Sequence, residues 1–590
     1  MSKIIFILIC ILYSSIQQEI IDISEYSYPK SSDTDYYRIA LFGTNDIHGK
    51  IFPSKFPHPS GTGGYSSGGV EYIYKYIKIL REEWGERFLW LDGGDQFQGG
   101  LEFMLSEAEI MNTFYNFAKV DAMAIGNHEF DFGTDFLKSK MAKSNFTYLV
   151  ANLFNITTNE NAVKDFPNTQ KYKVFTVGKA KIGVIGLATV ETPTTTSVNP
   201  TDLAFKDYPD IVKELAKELR EVEKVDAVVL LPHFGPSCPD ELGGKMVNGI
   251  WNATTTQLEC DKTNEYAKLI ASLPEGTIDA AVAAHVHDVS HHWIGGVPVV
   301  ESYGASYAHV IYLTFKENED GTLTLVKDAI SIEGPLPACP LIFKGTKRCD
   351  YVSMEQSAQV GELTQFKFHS VTMETDAELE KLLDPWREMI NRNLSEIILY
   401  NEEVMFTNSY NETALVNLVT DIARVVTGAD VSFFNLGGFR GNWYPGEINE
   451  VDIYNMFPFN NTFVTFEMTG RELIRMVKET QTGYSVRPSS GLIQVFRFTS
   501  ESQIELLDAK LFDGYEEKSI DLDKTYIVCL NDFLANGGSF FAKVLKWYKV
   551  KNRQDHGIIR EFAKVYLKGM EVIKKGILVD EEYPRVKYLS

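Results

Sequence analysis

Basic residues are scarce in this chain. Its 57 lysines and arginines stand against 80 aspartates and glutamates, and the formal net charge is −23 at pH 7. Nucleic acid polymers and anionic membranes are bound through surface patches of Lys and Arg, so the composition argues against both kinds of partner. An acidic protein that handles phosphate needs a local positive centre, and a bound metal ion is the simplest one.

Long apolar runs are also missing. The apolar run at residues 4–13 follows Lys3 and is too short to span a bilayer. It predicts a secretory signal peptide over residues 1–18, with a buried first strand as the alternative. Residues 585–590 do not form the hydrophobic tail that a lipid-anchor signal requires. We therefore expect a secreted or lumenal protein without a membrane anchor.

Only six cysteines are present, and one of them lies in the predicted signal peptide. Cys238 and Cys260 enclose a Gly-rich insertion, and they can form a disulfide in an oxidising compartment. Cys339 and Cys349 enclose a short loop and form a second candidate pair. Cys529 lies in an apolar run and is predicted to be a buried free thiol. Sequons for N-glycosylation, individually weak signals, begin at Asn145, Asn155, Asn252, Asn393, Asn411 and Asn460.

The length of 590 residues exceeds what one hydrophobic core organises, so at least two domains are expected. Strand-like runs alternate with helical patterns over residues 36–335, which predicts an α/β layered domain. Residues 336–396 form a linker with a helix over 377–392, and a second mixed pattern covers residues 397–590. The apolar face of the linker helix consists of Leu379, Leu382, Leu383, Trp386 and Ile390.

Five apolar runs of the first domain are each followed by Asp, Asn or His. The clearest run, residues 122–125, continues as Gly-Asn-His-Glu-Phe-Asp over residues 126–131, and Gly126 permits a sharp exit from the strand. Strand ends in a layered α/β domain gather along one edge of the sheet, so these side chains are expected to meet. The five ends supply Asp46, His48, Asp95, Asn127, His128, His233, His285 and His287.

This set offers only oxygen and nitrogen donors, which suits Zn²⁺, Mn²⁺ or Fe better than a sulfur-rich structural site. Its eight groups exceed what one ion needs, whereas two ions that share a carboxylate would use them naturally. Two such ions, roughly 3.5–4 Å apart, clamp a phosphoryl group and activate water. The residues therefore predict a di-metal centre for phosphoryl chemistry.

In order and type these motifs resemble the signature of calcineurin-like metallophosphoesterases, and residues 44–49, 94–99 and 126–131 are similar to its 5′-nucleotidase branch. One departure is Ala284, where Gly usually precedes the last His-x-His. The resemblance implies a four-layer α/β sandwich followed by a smaller α+β substrate-binding domain, joined by a linker helix. It also implies two divalent metal ions, with Zn²⁺ expected and Mn²⁺ or Co²⁺ as alternatives.

The resemblance further implies a role for each residue. The expected ligands are Asp46, His48, Asp95 and His287 for one ion, and Asp95 (bridging), Asn127, His233 and His285 for the other. His128 would stabilise charge at the phosphate and assist the leaving oxygen, and Asp131 would orient it. Other histidines lack such contexts and are interpreted as surface or packed residues: His58, His291, His292, His309, His369 and His556.

Three motifs in the second half, at residues 435–440, 456–461 and 531–541, resemble the 5′-nucleotidase C-terminal domain. In that family this domain binds the nucleoside part of the substrate, and its rotation brings the substrate to the metals. The resemblance implies a substrate-binding set in which two phenylalanines stack on either face of a base. The set is Asn435, Gly437, Arg440, Phe459, Phe533 and Ser539.

The chain departs from the family in this pocket. Ser539 stands where Asp usually accepts from ribose hydroxyls, and residues 408–411 contain no Arg where one is usual. A neutral hydroxyl replaces a charged acceptor, so we expect weaker discrimination between ribonucleotides and other phosphate esters than in the relatives.

The sequence thus predicts a secreted di-metal phosphatase that hydrolyses nucleoside 5′-monophosphates or related nucleotides. A broader phosphomonoesterase or phosphodiesterase and a nucleotide pyrophosphatase stay open, as does a catalytically silent nucleotide-binding protein. His128 and Asp131 favour an enzyme, because a binding protein has no need of a transition-state histidine. The expected partner is a small molecule, with no nucleic acid polymer.

Overall fold

The computed structural model describes most of the chain between residues 29 and 589. The described ranges are 29–30, 36–57, 64–238, 250–253, 260–302, 304–344, 348–349, 362–393, 396–407, 412–479, 489–500, 503–513, 516–538, 551–574, 578–579 and 584–589. The predicted signal peptide, His58, residues 408–411 with their sequon, and Ser539 lie outside these ranges. Within them, no helix has the length and apolarity that crossing a bilayer demands.

Two β-sheets form the centre of the first half. The larger has nine strands, in which Leu323–Leu325 extends the strand Tyr307–Glu317 at one side. The other strands follow in the order Ile250–Trp251, Ser331–Pro337, Tyr307–Glu317, Tyr37–Thr44, Phe88–Asp92, Ala122–Ala124, Thr147–Leu149 and Thr169–Gln170. From Tyr37–Thr44 onward neighbouring strands are parallel, so their carboxyl ends share one edge.

The second sheet has six strands. Their order is Ser290–Ile294, Val297–Glu301, Ala280–Val282, Ala227–His233, Ala180–Ala188 and Tyr172–Val177. The four middle strands are parallel to one another. Their side chains are buried on both faces, as the apolar runs in the sequence predict.

The two sheets pack face to face, and helices cover their outer sides. Leu41 and Leu91 of the larger sheet and Val229 and Val282 of the smaller one belong to one buried cluster. Gly43 lies where the sheets approach closely, since a Cβ there would be 3.0 Å from Val282 Cγ1. The outer layers are Val70–Trp84 and Glu109–Ala118 on the larger sheet, and Pro209–Glu221 and Glu265–Ser272 on the smaller. The predicted four-layer sandwich is confirmed.

Shorter elements complete this half. The helices are Leu101–Leu105, Thr134–Met141 and Thr192–Thr195. Two-stranded pairs are Ser54–Pro57 with Gly64–Ser67, Leu153–Asn155 with Leu203–Phe205, Leu341–Phe343 with Leu363–Gln365, and Lys367–Phe368 with Val371–Thr372.

The linker helix, Ala377–Asn393, packs on the first half. Leu379 and Leu383 are buried in the same apolar cluster as the helix Val70–Trp84, with Leu382 and Trp386 against it. Arg387 pairs with the buried carboxylate of Glu71. The predicted helix and its apolar face are therefore confirmed.

The second half is built on a five-stranded sheet. Its strands follow in the order Ser489–Ser490, Val431–Phe433, Thr525–Asn531, Thr462–Thr469 and Lys551–Ile558. The helices are Ala414–Thr427, Glu450–Met456, Gly470–Glu479, Asp532–Ala535 and Ile559–Leu567. Two smaller sheets contain Gly446–Asn449, Ile397–Asn401 and Val572–Ile573, and Glu517–Ser519, Gln503–Phe512, Leu492–Ser500 and Val586–Leu589. This mixed arrangement agrees with the expected α+β domain.

Both predicted disulfides are present, Cys238–Cys260 and Cys339–Cys349. Cys529 is a buried free thiol, as predicted from its apolar run.

Candidate functional site

The predicted site residues emerge from strands of both sheets. Asp46 and His48 follow Tyr37–Thr44, and Asp95 follows Phe88–Asp92, both in the larger sheet. Asn127 follows the next strand of that sheet. From the smaller sheet, His233 ends its strand, and His285 and His287 follow Ala280–Val282. Because the parallel strands of both sheets point the same way, these ends meet at one shared edge.

The structure brings all seven predicted ligands together in two groups that share Asp95. Asp46, His48, Asp95 and His287 form one group, and Asp95, His233 and His285 form the other. Within each group the ligand atoms lie within 4.8 Å of one another. Asn127 joins the second group, since its Oδ1 is 3.1 Å from His233 Nε2.

The histidine rings are oriented as metal ligands usually are. His233 Nδ1 is 2.7 Å from the carbonyl oxygen of Gly93, and His48 Nδ1 is 2.9 Å from that of Gln98. Each carbonyl accepts the Nδ1 proton, so Nε2 faces the cluster and is the nitrogen that would bind a metal ion. His48 Nε2 lies 3.1 Å from His287 Nε2. A cation between such nitrogens and the carboxylates of Asp46 and Asp95 satisfies them all, so this donor set fits divalent metal ions.

Five of the ligands have a backbone conformation that L-residues seldom adopt. The φ angles are 51° at Asp46, 49° at His48, 54° at Asp95, 81° at His285 and 63° at His287. Hydrogen bonds between loops hold this conformation, for example from Asp46 N to Gly94 O at 2.9 Å and from His48 N to Asp95 O at 3.0 Å. Strain of this kind is concentrated at functional sites, where the surrounding structure supports it.

Electrostatics at the cluster favour a cation. Burial alone would lower the pKa of His233, but Asp95 outweighs that effect, and the pKa is raised to about 10. Burial alone would raise the pKa of Asp46, but its interactions with His287 hold that pKa well below its usual range. In the protein alone a proton on His233 neutralises Asp95 at 3.1 Å, and a metal ion would take the place of that proton.

His128 and Asp131 form the predicted dyad. His128 Nδ1 is 2.7 Å from Asp131 Oδ2, and the other oxygen, Oδ1, accepts from Thr196 Oγ1 at 2.9 Å and from Ser197 N at 2.6 Å. Burial opposes the imidazolium form of His128, yet the charges of Asp131 and Asp95 outweigh it and raise the pKa. The dyad therefore favours the protonated form of His128 beside the predicted metal ligands.

Sequence reasoning missed the role of Glu129. Its fully buried carboxylate accepts from Asp95 N and Gly126 N through Oε2, at 2.9 and 2.7 Å. Oε1 accepts from Gln96 N and Phe97 N at 2.9 and 3.1 Å. One side chain thus joins the loop that carries Asp95 to the turn that precedes Asn127 and His128. The sequence feature that could have indicated this role is the position of an acidic residue inside the motif at residues 126–131.

A second missed element is the segment at residues 195–197. Thr195 O accepts from Asn127 Nδ2 at 3.1 Å, which turns Asn127 Oδ1 toward the cluster. Thr196 and Ser197 bind the carboxylate of Asp131, as described above. The segment lies shortly after the strand Ala180–Ala188. Polar residues after one more buried strand were therefore the sequence feature that could have indicated its role.

Two of the predicted substrate residues in the second half, Arg440 and Phe459, lie next to predicted site residues of the first half. Arg440 Nη1 is 3.2 Å from His287 Nδ1, and its Cζ is 5.4 Å from the ring centroid of Phe459. The centroids of Phe459 and His128 are 5.8 Å apart. These residues therefore form a wall beside the predicted metal ligands.

The remaining predicted substrate residues lie deeper in the second half. Asn435 is buried and accepts from Asn531 Nδ2 at 2.7 Å. Gly437 lies in the short turn Leu436–Gly438. Phe533 is partly buried and packs against the apolar cluster of the five-stranded sheet.

Both halves of the chain match known families. Residues 39–289 match calcineurin-like phosphoesterase, and residues 397–546 match the 5′-nucleotidase C-terminal domain. An apyrase from Tabanus yao is 24% identical over 566 residues, which cover 89% of this chain and 91% of that protein. A 5′-nucleotidase from Vibrio vulnificus is 25% identical over 87% of each chain. The crystal structure of a 5′-nucleotidase precursor from Thermus thermophilus has a TM-score of 0.69 at 23% identity, over 94% of this chain and 100% of that one.

Proposed function

Because the chain belongs to the 5′-nucleotidase family of metal-dependent phosphoesterases, we propose that it hydrolyses the phosphate ester of nucleoside 5′-monophosphates or related nucleotides. The observation that carries this proposal is the contact between the two halves. Arg440 and Phe459 of the second half lie against His287 and His128 of the first. A cation and an aromatic ring beside a metal cluster suit a substrate with a phosphate at one end and a flat base at the other.

We propose two divalent ions, Zn²⁺ first and Mn²⁺ or Co²⁺ as alternatives. Asp46, His48, Asp95 and His287 would hold one, and Asp95, Asn127, His233 and His285 the other. When bound, such ions neutralise the charge of a phosphoryl group and make nearby water more acidic.

The side chains supply the rest of the chemistry. His128, whose protonated form Asp131 favours, donates a proton to the leaving ester oxygen and stabilises charge on the phosphoryl oxygens. Arg440 adds a permanent positive charge on the other side of the phosphate. Phe459 stacks on the base, and we propose Phe533 for its second face, with Asn435, Gly437 and Ser539 contacting the nucleoside.

We also propose that the chain enters the secretory route. Its two disulfides suit an oxidising compartment, and the apolar run at residues 4–13 suits a signal peptide.

Phosphate release across a substrate panel tests the function. The panel contains AMP, ADP, ATP, cyclic AMP, ribose 5-phosphate and p-nitrophenyl phosphate, with ADP and ATP included because one similar protein is named an apyrase. We expect kcat/KM for AMP to exceed that for the two esters without a base. Activity should vanish with EDTA and return with Zn²⁺, Mn²⁺ or Co²⁺. Equal rates on all monoesters would contradict nucleotide selectivity, and AMP binding without phosphate release would indicate a silent binding protein.

A further inference from the structure

The loop at residues 457–461, which carries Phe459, is contacted by residues about a hundred positions later in the chain. It leads into the strand Thr462–Thr469, which pairs antiparallel with Lys551–Ile558, so that Thr462 lies opposite Ile558. Ile559 N then donates to Asn461 O at 2.9 Å. The first turn of the helix Ile559–Leu567 is therefore adjacent to this loop.

Arg560, in that first turn, binds the loop at three points. Its Nη1 donates to Phe457 O at 2.7 Å and to Phe459 O at 3.1 Å, and its Nη2 donates to Asn460 Oδ1 at 2.7 Å. The guanidinium also lies 4.0 Å from the ring centroid of Tyr454, which restricts its own position. A planar fork with several donors suits this task, whereas a lysine offers a single point charge.

The same loop is tied to the segment that carries Phe533. Asn461 Nδ2 donates to Asp532 Oδ1 at 2.7 Å, and that oxygen also accepts from Phe533 N at 2.9 Å. The two aromatic residues proposed to stack on the base are thus connected through one carboxylate. The position of the Phe459 backbone relative to Phe533 depends on these contacts together with those of Arg560.

We propose that Arg560 is a positioning residue that fixes Phe459 as one wall of a nucleobase slot, and thereby determines the preference for nucleotides over phosphate esters without a base. This inference rests on the proposed function. Without Arg560 the loop carbonyls lose their donors, and the loop must be ordered each time a base binds. The loss therefore falls on base binding and spares the metal cluster, which lies in the other half of the chain.

The test compares Arg560→Met and Arg560→Lys with wild type in the full-length, metal-loaded protein. Steady-state kinetics use AMP and ribose 5-phosphate, and calorimetry measures the affinity for adenosine, which has no phosphate. The matched control is Arg471→Met, which removes an exposed ion pair with Asp523 in the same half of the chain. Thermal unfolding of each variant checks that the fold is intact.

For Arg560→Met we expect KM for AMP and the Kd for adenosine to rise about tenfold, within the range that stacking on an aromatic ring provides. The kcat for AMP should change less than about twofold, and the change with ribose 5-phosphate should be much smaller. Arg560→Lys should recover part of the affinity, and Arg471→Met should match wild type. An equal loss with AMP and ribose 5-phosphate, or an unchanged adenosine affinity, would overturn the inference while leaving nucleotide hydrolysis intact. If wild type releases no phosphate, the proposed function fails, and the adenosine titrations still decide the role of Arg560.

Discussion

Replacing Glu129 by Gln is the most direct test of how the site is assembled. The substitution keeps the shape of the side chain but exchanges one carboxylate oxygen for an NH₂ group. That group then faces two N–H donors, either those of Gln96 and Phe97 or those of Asp95 and Gly126. Two buried N–H groups lose their acceptor whichever way the amide turns.

The loss of stability expected for Glu129→Gln follows from these two N–H groups. Each buried donor left unsatisfied costs about 1–3 kcal/mol, so the variant should lose about 2–6 kcal/mol of local stability. The loops that carry Asp95 and His128 would relax to recover hydrogen bonds with water. We therefore expect lower metal content by elemental analysis and a loss of activity under conditions in which urea unfolding shows that the protein is still folded.

The control is Glu86→Gln, an exposed glutamate in the same half of the chain. It should retain wild-type metal content and activity. If Glu129→Gln also retained both, the carboxylate would not be what joins the two loops, and the reasoning from its four hydrogen bonds would be refuted.

Three further predictions concern the ions, the dyad and pH. Asp95→Ala should lose both ions in elemental analysis because its carboxylate belongs to both groups, and full occupancy would contradict the assignment. His128→Ala should keep its metals but lose about 10²–10⁴-fold in kcat, as expected for a positioned acid, and normal turnover would exclude it from the mechanism. Burial would lower the pKa of His369, but its bonds to Glu333 and Glu83 raise it to about 8 from 6.5. This pair of bonds should stabilise the fold by about 2 kcal/mol below a pH of about 6.5, an amount lost as the pH rises through about 8. Urea unfolding at about pH 6 and about pH 9 gives the difference in the free energy of unfolding between wild type and His369→Gln. An equal difference at both pH values would show that the two bonds of His369 do not cause the pH dependence.

The sequence was sufficient to predict elements whose signal is local. The apolar runs before Asp46, Asp95 and Asn127 are buried strands, and polar residues directly after them must lie at a sheet edge. The predicted bounds differ from the observed ones by one residue, as for the run 122–125 against the strand Ala122–Ala124 and the helix 377–392 against Ala377–Asn393, because residues at the end of an element make only part of its hydrogen bonds.

What the sequence does not reveal is how distant loops bind one another. Glu129 acts on backbone N–H groups, which every sequence offers, so nothing in the residue types marks Asp95 as its partner. The contacts of Arg560 with the Phe459 loop span about a hundred residues of chain and depend on one antiparallel pairing. Such contacts are set by tertiary register, which single-sequence patterns do not specify.

The packing of the helix Ala377–Asn393 shows to which half of the molecule it is attached. Leu379, Leu383 and Arg387 attach this helix to the first half. The helix is therefore attached to the half that contains the predicted metal ligands, and it would stay with that half if the second half rotated as the resemblance implies. In such a rotation Arg440 and Phe459 would move away from His287 and His128 together, so one movement would open both the cationic and the aromatic side of the candidate site.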